Sequence, residues 1–133
     1  MAGVAKVTIN VSVTGLGDEI TISNTKTMTV PVEVQTGYTV VATATTTGIQ
    51  LFDIVDHIAL DKIYGVYIKA EDGTIYIAVD TAGTATLTSA TADLVLNEGE
   101  SCWIPVNPSG NLGMVIDAAT TSDAFSWLIL GKA

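Results

Sequence analysis

Near the N-terminus Val7, Ile9, Val11 and Val13 fall on one side of an extended chain, while Lys6, Thr8, Asn10 and Ser12 fall on the other. A period of two is the signature of a strand whose successive side chains face opposite ways. "TGLGDE", with Gly15 and Gly17, predicts a turn, and Ile20 and Ile22 open a second strand that "SNTK" is expected to interrupt. Met28, Val30, Val32 and Val34 resume the alternation, but Pro31 within them has no N–H to give a ladder. That proline predicts an edge strand or a bend between two shorter ones. Tyr38 to Thr46, "YTVVATATT", predicts a threonine-rich strand closed by Gly48.

The stretch "IQLFDIVDHIALDKI" mixes two periods: Leu51, Ile54 and Ile58 suit helical spacing, while Phe52 and Ile54 suit a strand. A strand from Gln50 to Ile54 and an irregular or one-turn connection to Asp61 are expected. From Ile63 the pattern clears. "YGVYIKA", "EDG" and "TIYIAVD" predict a hairpin turning at Asp72-Gly73, a dipeptide suited to tight hairpin turns. "TATLTSA" reads as a strand and "DLVLNEGESCWIPV" as one or two more. In the latter, Leu94 and Leu96 are expected to point inward before a turn at Gly99. Cys102, Ile104 and Val106 then share one face, and Trp103 takes the other. Leu112 to Ala118 and Phe125 to Leu130 close the chain, separated by "ATTSD". The sum is about nine to eleven short strands with turns about 8 to 12 residues apart, which predicts an all-β, antiparallel β-sandwich, jelly-roll-like, in a single domain over 1–133.

Composition supports this and narrows function. Hydrophobic residues make up 48% of the 133 positions but aromatic ones only 6%. Threonine, valine and isoleucine pack well on a pleated surface. A chain of this length buries roughly two-thirds of its unfolded surface and needs no staples. The formal charge is −9, from 14 acidic residues against five lysines, with no arginine. Neutralising phosphates requires cations, so nucleic acid is set aside as a partner. "MAGVAKVTINVSV" alternates where a secretory leader would be continuously apolar, and "WLIL" is too short to cross a bilayer. A soluble protein made in the cytoplasm, with no membrane partner, is the expectation.

Candidate chemistry is sparse. Cys102 is the only cysteine and His57 the only histidine, and no serine sits in a Gly-x-Ser-x-Gly elbow. Asp53, Asp56, His57 and Asp61 are the densest group of potential metal ligands, but they read more simply as an acidic solvent-facing connection. Asp72-Gly73 and Asn97-Glu98-Gly99-Glu100 lack the alternating oxygen spacing of a calcium loop. Gly15 and Gly17 lack the third glycine of a phosphate cradle and precede a strand. No catalytic residue, metal or cofactor is expected. Tyr64, Tyr67, Tyr76, Trp103 and Trp127 are the aromatic candidates for binding, with Tyr67 and Tyr76 expected to pair across the hairpin.

Three segments carry a resemblance: "GVYIKAEDGTIYIAV", then "LVLNEGESCWIP", then "LGMVIDAATTSDAFSWLILGKA". In this order they resemble the small β-sandwich structural proteins of tailed-bacteriophage virions, of the capsid decoration, cement or head-fibre type. Glu98 stands where that pattern has a proline before Gly99. The resemblance implies a non-enzymatic virion protein, commonly a homotrimer, made in the host cytoplasm and docked on the major capsid protein or other virion proteins. In that reading Trp103, Trp127, Tyr67 and Tyr76 are the interface candidates, and an acidic surface would suit basic patches on a shell. The alternative is a carbohydrate-binding or adhesin-like receptor-binding module, for which exposed tyrosines on one sheet are expected.

Overall fold

The computed structural model describes residues 4–15, 17–28, 33–41, 48–54, 58–79, 86–106 and 113–131. In it the first alternating stretch becomes strand β1 (Ala5–Val13), paired antiparallel along its whole length with β2 (Ile20–Met28). "SNTK" does not interrupt β2. Its polar side chains bond across the ladder instead: the Thr8 and Thr25 hydroxyls lie 3.1 Å apart, and Ser23 Oγ donates to Asn10 Oδ1 at 2.6 Å. Polar residues oppose a strand only where that face must be buried, and this one is in water. The register pairs Val11 with Ile22 and Val13 with Ile20, so one face of the hairpin is apolar at its tip and interrupted by Asn24 and Lys26 towards its base, while the other is lined by threonine, serine and asparagine with Lys6. Pro31 falls between β2 and β3 (Glu33–Val40), outside the described residues, as do Ala42 to Thr46 of the predicted threonine-rich strand.

The remaining strands are β4 (Ile49–Gln50), β5 (Ile63–Asp72), β6 (Ile75–Ala78), β7 (Leu94–Leu96), β8 (Ser101–Pro105), β9 (Val115–Ala118) and β10 (Ala124–Gly131). They form two four-stranded antiparallel sheets, ordered β3-β10-β5-β8 and β4-β9-β6-β7. The pairs β3·β10, β4·β9, β5·β8 and β6·β7 are nested, like one long hairpin folded at β6–β7, and alternate between the two sheets. That is a jelly roll. The sandwich expectation holds, with ten antiparallel strands among the described residues and only short 3-10 turns between them.

Three local readings do not hold. Asp72-Gly73 does not close a hairpin, because β5 and β6 lie in different sheets, so Tyr67 and Tyr76 are not cross-strand partners. The turn is a corner of the roll, pinned from elsewhere in the chain: Asp123 Oδ2 accepts the Thr74 N–H at 3.2 Å. The predicted strand Gln50 to Ile54 stops at Gln50, and Leu51–Ile54 is a 3-10 turn. Leu51 and Phe52 are consecutive and both buried, which the turn achieves by swinging both side chains to the core. "TATLTSA" forms no strand over its described residues. Thr88 and Thr91 close a turn instead, with Thr88 N–H donating to Thr91 Oγ1 at 2.8 Å and Thr91 N–H to the Thr88 carbonyl at 3.0 Å. Threonine hydroxyls that satisfy nearby backbone compete with a ladder.

The core lies between the sheets and is built around Phe125, Ile68, Ile129, Ile75, Ile77 and Ile116. Two register shifts between β5 and β10 place extra residues at Tyr64 and Glu71. Because of the first, Ile63 and Val66, an odd number of residues apart, both reach the core. On the outside of the second sheet Leu87 packs on Ala78 and Val115, with Tyr76 beside them. Fully buried Asp117 holds that segment, accepting the Leu87 N–H at 2.9 Å and the Ala118 N–H at 2.8 Å.

Candidate functional site

The outer face of sheet β3-β10-β5-β8 carries an apolar band. Register aligns Thr36, Leu128, Tyr67 and Trp103 across the four strands, with Val34, Leu130, Gly65 and Pro105 as the next row. Trp103 packs against Gly65: a Cβ at that position would overlap the indole. A glycine inside a strand marks this kind of close approach. β1 passes over the same face, and its residues Ala5 to Asn10 with Tyr67, Ser101, Trp103, Leu128 and Leu130 enclose a groove of about 750 Å³. Its lining includes the two aromatic side chains of Tyr67 and Trp103, with Ser101 on the same face.

Farther along the outer face Glu71, at the second bulge, accepts Ser126 Oγ at 2.7 Å and Lys69 Nζ at 3.0 Å. The Ser126 hydrogen bond first, and then Lys69, hold its carboxyl below the ordinary value of 4.5. Because the folded value is depressed, the contribution is present above the unfolded pKa and is lost as pH falls through the folded one. We expect the Glu71 carboxyl resonance to titrate below pH 4.5, and Ser126→Ala to move that midpoint upward. An unchanged midpoint in the variant would mean that the hydroxyl does not set it.

Above the groove the hairpin extends as a two-stranded ribbon whose strands, among the described residues, pair with each other alone. Ala5 and Val7 at its base are half-buried, whereas Ile9, Val11, Ile20 and Ile22 are 49–62% exposed. A second apolar stripe, Val34, Tyr38 and Val40 on β3, is 49–63% exposed beside Leu128 and Leu130. The strands of the hairpin hold two of the five lysines, Lys6 and Lys26, and none of the 14 acidic residues.

The sequence candidates separate clearly. Trp103 and Tyr67 are half-buried neighbours in the groove. Tyr76 is half-buried on the opposite side of the molecule, on the other sheet. Trp127 is a correction: it sits in the core at 6% exposure, with Nε1–H donating to Thr39 Oγ1 at 3.2 Å, and has no face to offer a partner. Tyr64 is exposed at the first bulge. Cys102 and Ile104 pack against the core while Trp103 faces outward, as their phase predicts. Burial raises the Cys102 thiol above its ordinary 9.0, which favours the unreactive protonated form.

"LNEGESCWIP" is the corner that carries the chain from β7 in one sheet to β8 in the other. Glu100 holds it by accepting the Asn97 N–H at 2.7 Å. Leu96 is buried beneath it, but Leu94, expected inward, is 38% exposed at the start of an edge strand. Among the described residues no group of three His, Cys, Asp or Glu is placed to hold a metal. Asp56 and His57 of the acidic connection lie outside those residues, and Asp61 is exposed. Sequence reading missed the groove and the β3 stripe. The available signal for the groove was Gly65, inside an alternating run where the Trp103 ring crosses. No protein-family model, curated protein or solved structure matches the chain.

Proposed function

We propose that the protein is a structural component of a tailed-phage virion, a non-enzymatic decoration or cement protein. It assembles as a homotrimer and binds the major capsid protein, opposing separation of neighbouring shell subunits. The observation that carries the reading is the pair of unpartnered apolar surfaces on one acidic chain, the hairpin face and the β3 stripe. A two-stranded hairpin is marginal in water on its own. Covering a half-exposed valine or isoleucine contributes on the order of 1 kcal/mol, so a chain with two such surfaces gains by assembling. The fold is in keeping, since jelly rolls recur in viral capsid domains. An oligomer also presents several weak contacts to a repeating lattice at once, and these multiply.

The test is direct. Expanded shells assembled from the major capsid protein of the genome that encodes this chain should carry it through a density gradient, and loaded shells should open at higher temperature or denaturant. Shells that neither retain the protein nor gain resistance would sink the proposal.

A second reading rests on the groove. Tyr67 and Trp103 side by side, with the Ser101 hydroxyl on the same face, suit a sugar ring stacked on an aromatic face and hydrogen-bonded at its edge. A carbohydrate-binding module of this kind would bind immobilised glycans and lose that binding on Tyr67→Ala. Retained binding in that variant would remove the groove as the site.

A further inference from the structure

We infer that the groove takes a neutral glycan whose hydroxyl groups are read by Lys69, Glu71 and Ser126, an inference that rests on the carbohydrate reading of the groove. The register orders the outer face into rows. Thr36, Leu128, Tyr67 and Trp103 form one row, and Tyr38, Ser126, Lys69 and Ser101 form the next, two residues along each strand. Two residues of strand span about 6.6 Å, so a pyranose stacked on Tyr67 or Trp103 sets its edge hydroxyls above the polar row. Ser101 lines the groove and stands opposite Lys69, which joins the two rows into one surface.

The polar row is already assembled. Glu71 is the extra residue at the second register shift between β5 and β10, and bulges re-aim the side chains they carry. Its Oε1 accepts Ser126 Oγ–H at 2.7 Å and its Oε2 accepts from Lys69 Nζ at 3.0 Å. The Lys69 and Glu71 side chains are 37% and 31% exposed. A carboxylate has about four acceptor sites and an ammonium more than one donor, so these bonds leave capacity on both. A carboxylate beside an ammonium accepts from one hydroxyl of a vicinal diol and donates to the other through charge-assisted bonds. Sugar rings carry such pairs along their edges.

Charge and solvation narrow the occupant. Lys69 is already paired with Glu71, and exposed Asp72 follows it in the chain. A uronate or sialate would bring a further negative charge to a row whose cation is taken, and like charges are penalised. An apolar protein surface laid on this face would strip water from the Lys69–Glu71 pair and return no hydrogen bonds, which is costly. A neutral hydroxylated ring returns them.

The experiment probes an array of neutral hexose oligosaccharides, beside uronic- and sialic-acid ones, with the full chain. Calorimetry follows on the tightest neutral binder and its monodeoxy derivatives. The parent is expected to bind neutral members and pass over the acidic ones. Glu71→Gln and Lys69→Met should each weaken that binding about tenfold, the weight of one hydrogen bond to a charged group. Deleting the contacted hydroxyl from the sugar should cost the parent a similar factor and cost Glu71→Gln little more. Such non-additivity marks a direct contact and would not arise from a merely structural role. If Glu71→Gln disturbs folding by circular dichroism, Lys69→Met and the deoxy sugars on the parent carry the test. Binding that Tyr67→Ala abolishes but neither polar variant changes would overturn this inference and keep the groove as the site. A preference for acidic glycans, or fully additive losses, would overturn it as well. A parent that binds no member of the array sinks the carbohydrate reading itself, and this inference with it.

Discussion

Gly73→Ala is expected to destabilise the folded chain by roughly 3–5 kcal/mol, the sum of a backbone cost and a broken carboxylate site. Gly73 has φ +69°, a left-handed conformation that costs a residue with a Cβ about 1–2 kcal/mol. The added methyl would also overlap the Asp123 carboxylate. That carboxylate has little room to yield. It is 7% exposed and accepts the Thr74 N–H at 3.2 Å, the Thr120 N–H at 3.2 Å and the Thr120 hydroxyl at 2.6 Å. Hydrogen bonds to a charged group contribute about 1.5–3 kcal/mol each, and shifting Asp123 weakens several together. Urea unfolding of Gly73→Ala, Asp123→Ala and the double variant measures this. The double variant should be much less unstable than the two losses added, because removing the carboxylate removes the overlap. A loss under about 0.5 kcal/mol for Gly73→Ala, the range of an unremarkable surface change, would refute the account.

Gly37→Val is expected to cost about 3 kcal/mol through overpacking and loss of tryptophan burial. A Cβ on Gly37 would meet the indole of Trp127, with Nε1 at 2.8 Å. Trp127 is held in the core by its neighbours and by the bond to Thr39. The better strand propensity of valine returns up to about 1 kcal/mol, too little to offset the collision. Gly65→Val is the control. It creates the same overlap with Trp103, but that ring borders an open groove into which it can turn, so the stability loss should be smaller. Thermal melts read the difference, and Trp127 emission should shift to the red in Gly37→Val. Equal losses in the two variants would show that the groove gives Trp103 no room.

The reasons some features were legible and others were not are specific. Alternation predicted the strands because burial on one face imposes a period of two, and the phase of Cys102, Trp103 and Ile104 even assigned their faces. The same logic fails at "FSWLIL", where Phe125, Trp127 and Ile129 alternate with Ser126, Leu128 and Leu130. Both sets are largely apolar because both faces of β10 are covered, so the chain alone does not say that Trp127 is inside. Asp72-Gly73 satisfies the local chemistry of a hairpin and of a corner equally well. Its outcome depends on Asp123, 49 residues beyond Thr74. "TATLTSA" has strand composition, yet among its described residues local hydrogen bonds of Thr88 with Thr91 make a turn.

The amino-acid sequence by itself determined that this chain is all-β, built of short antiparallel strands, and that "LNEGESCWIP" turns a corner with its cysteine inward. Those properties follow from the residue-by-residue alternation of solvent and core and from turn residues, which act over a few positions. Only the tertiary structure decided that the strands roll into β3-β10-β5-β8 and β4-β9-β6-β7, that Trp103 and Tyr67 share a groove under β1, and that the hairpin and the β3 stripe remain uncovered. Strand pairing joins residues far apart in the chain, and its free energy belongs to pairs of surfaces that no single stretch of sequence contains.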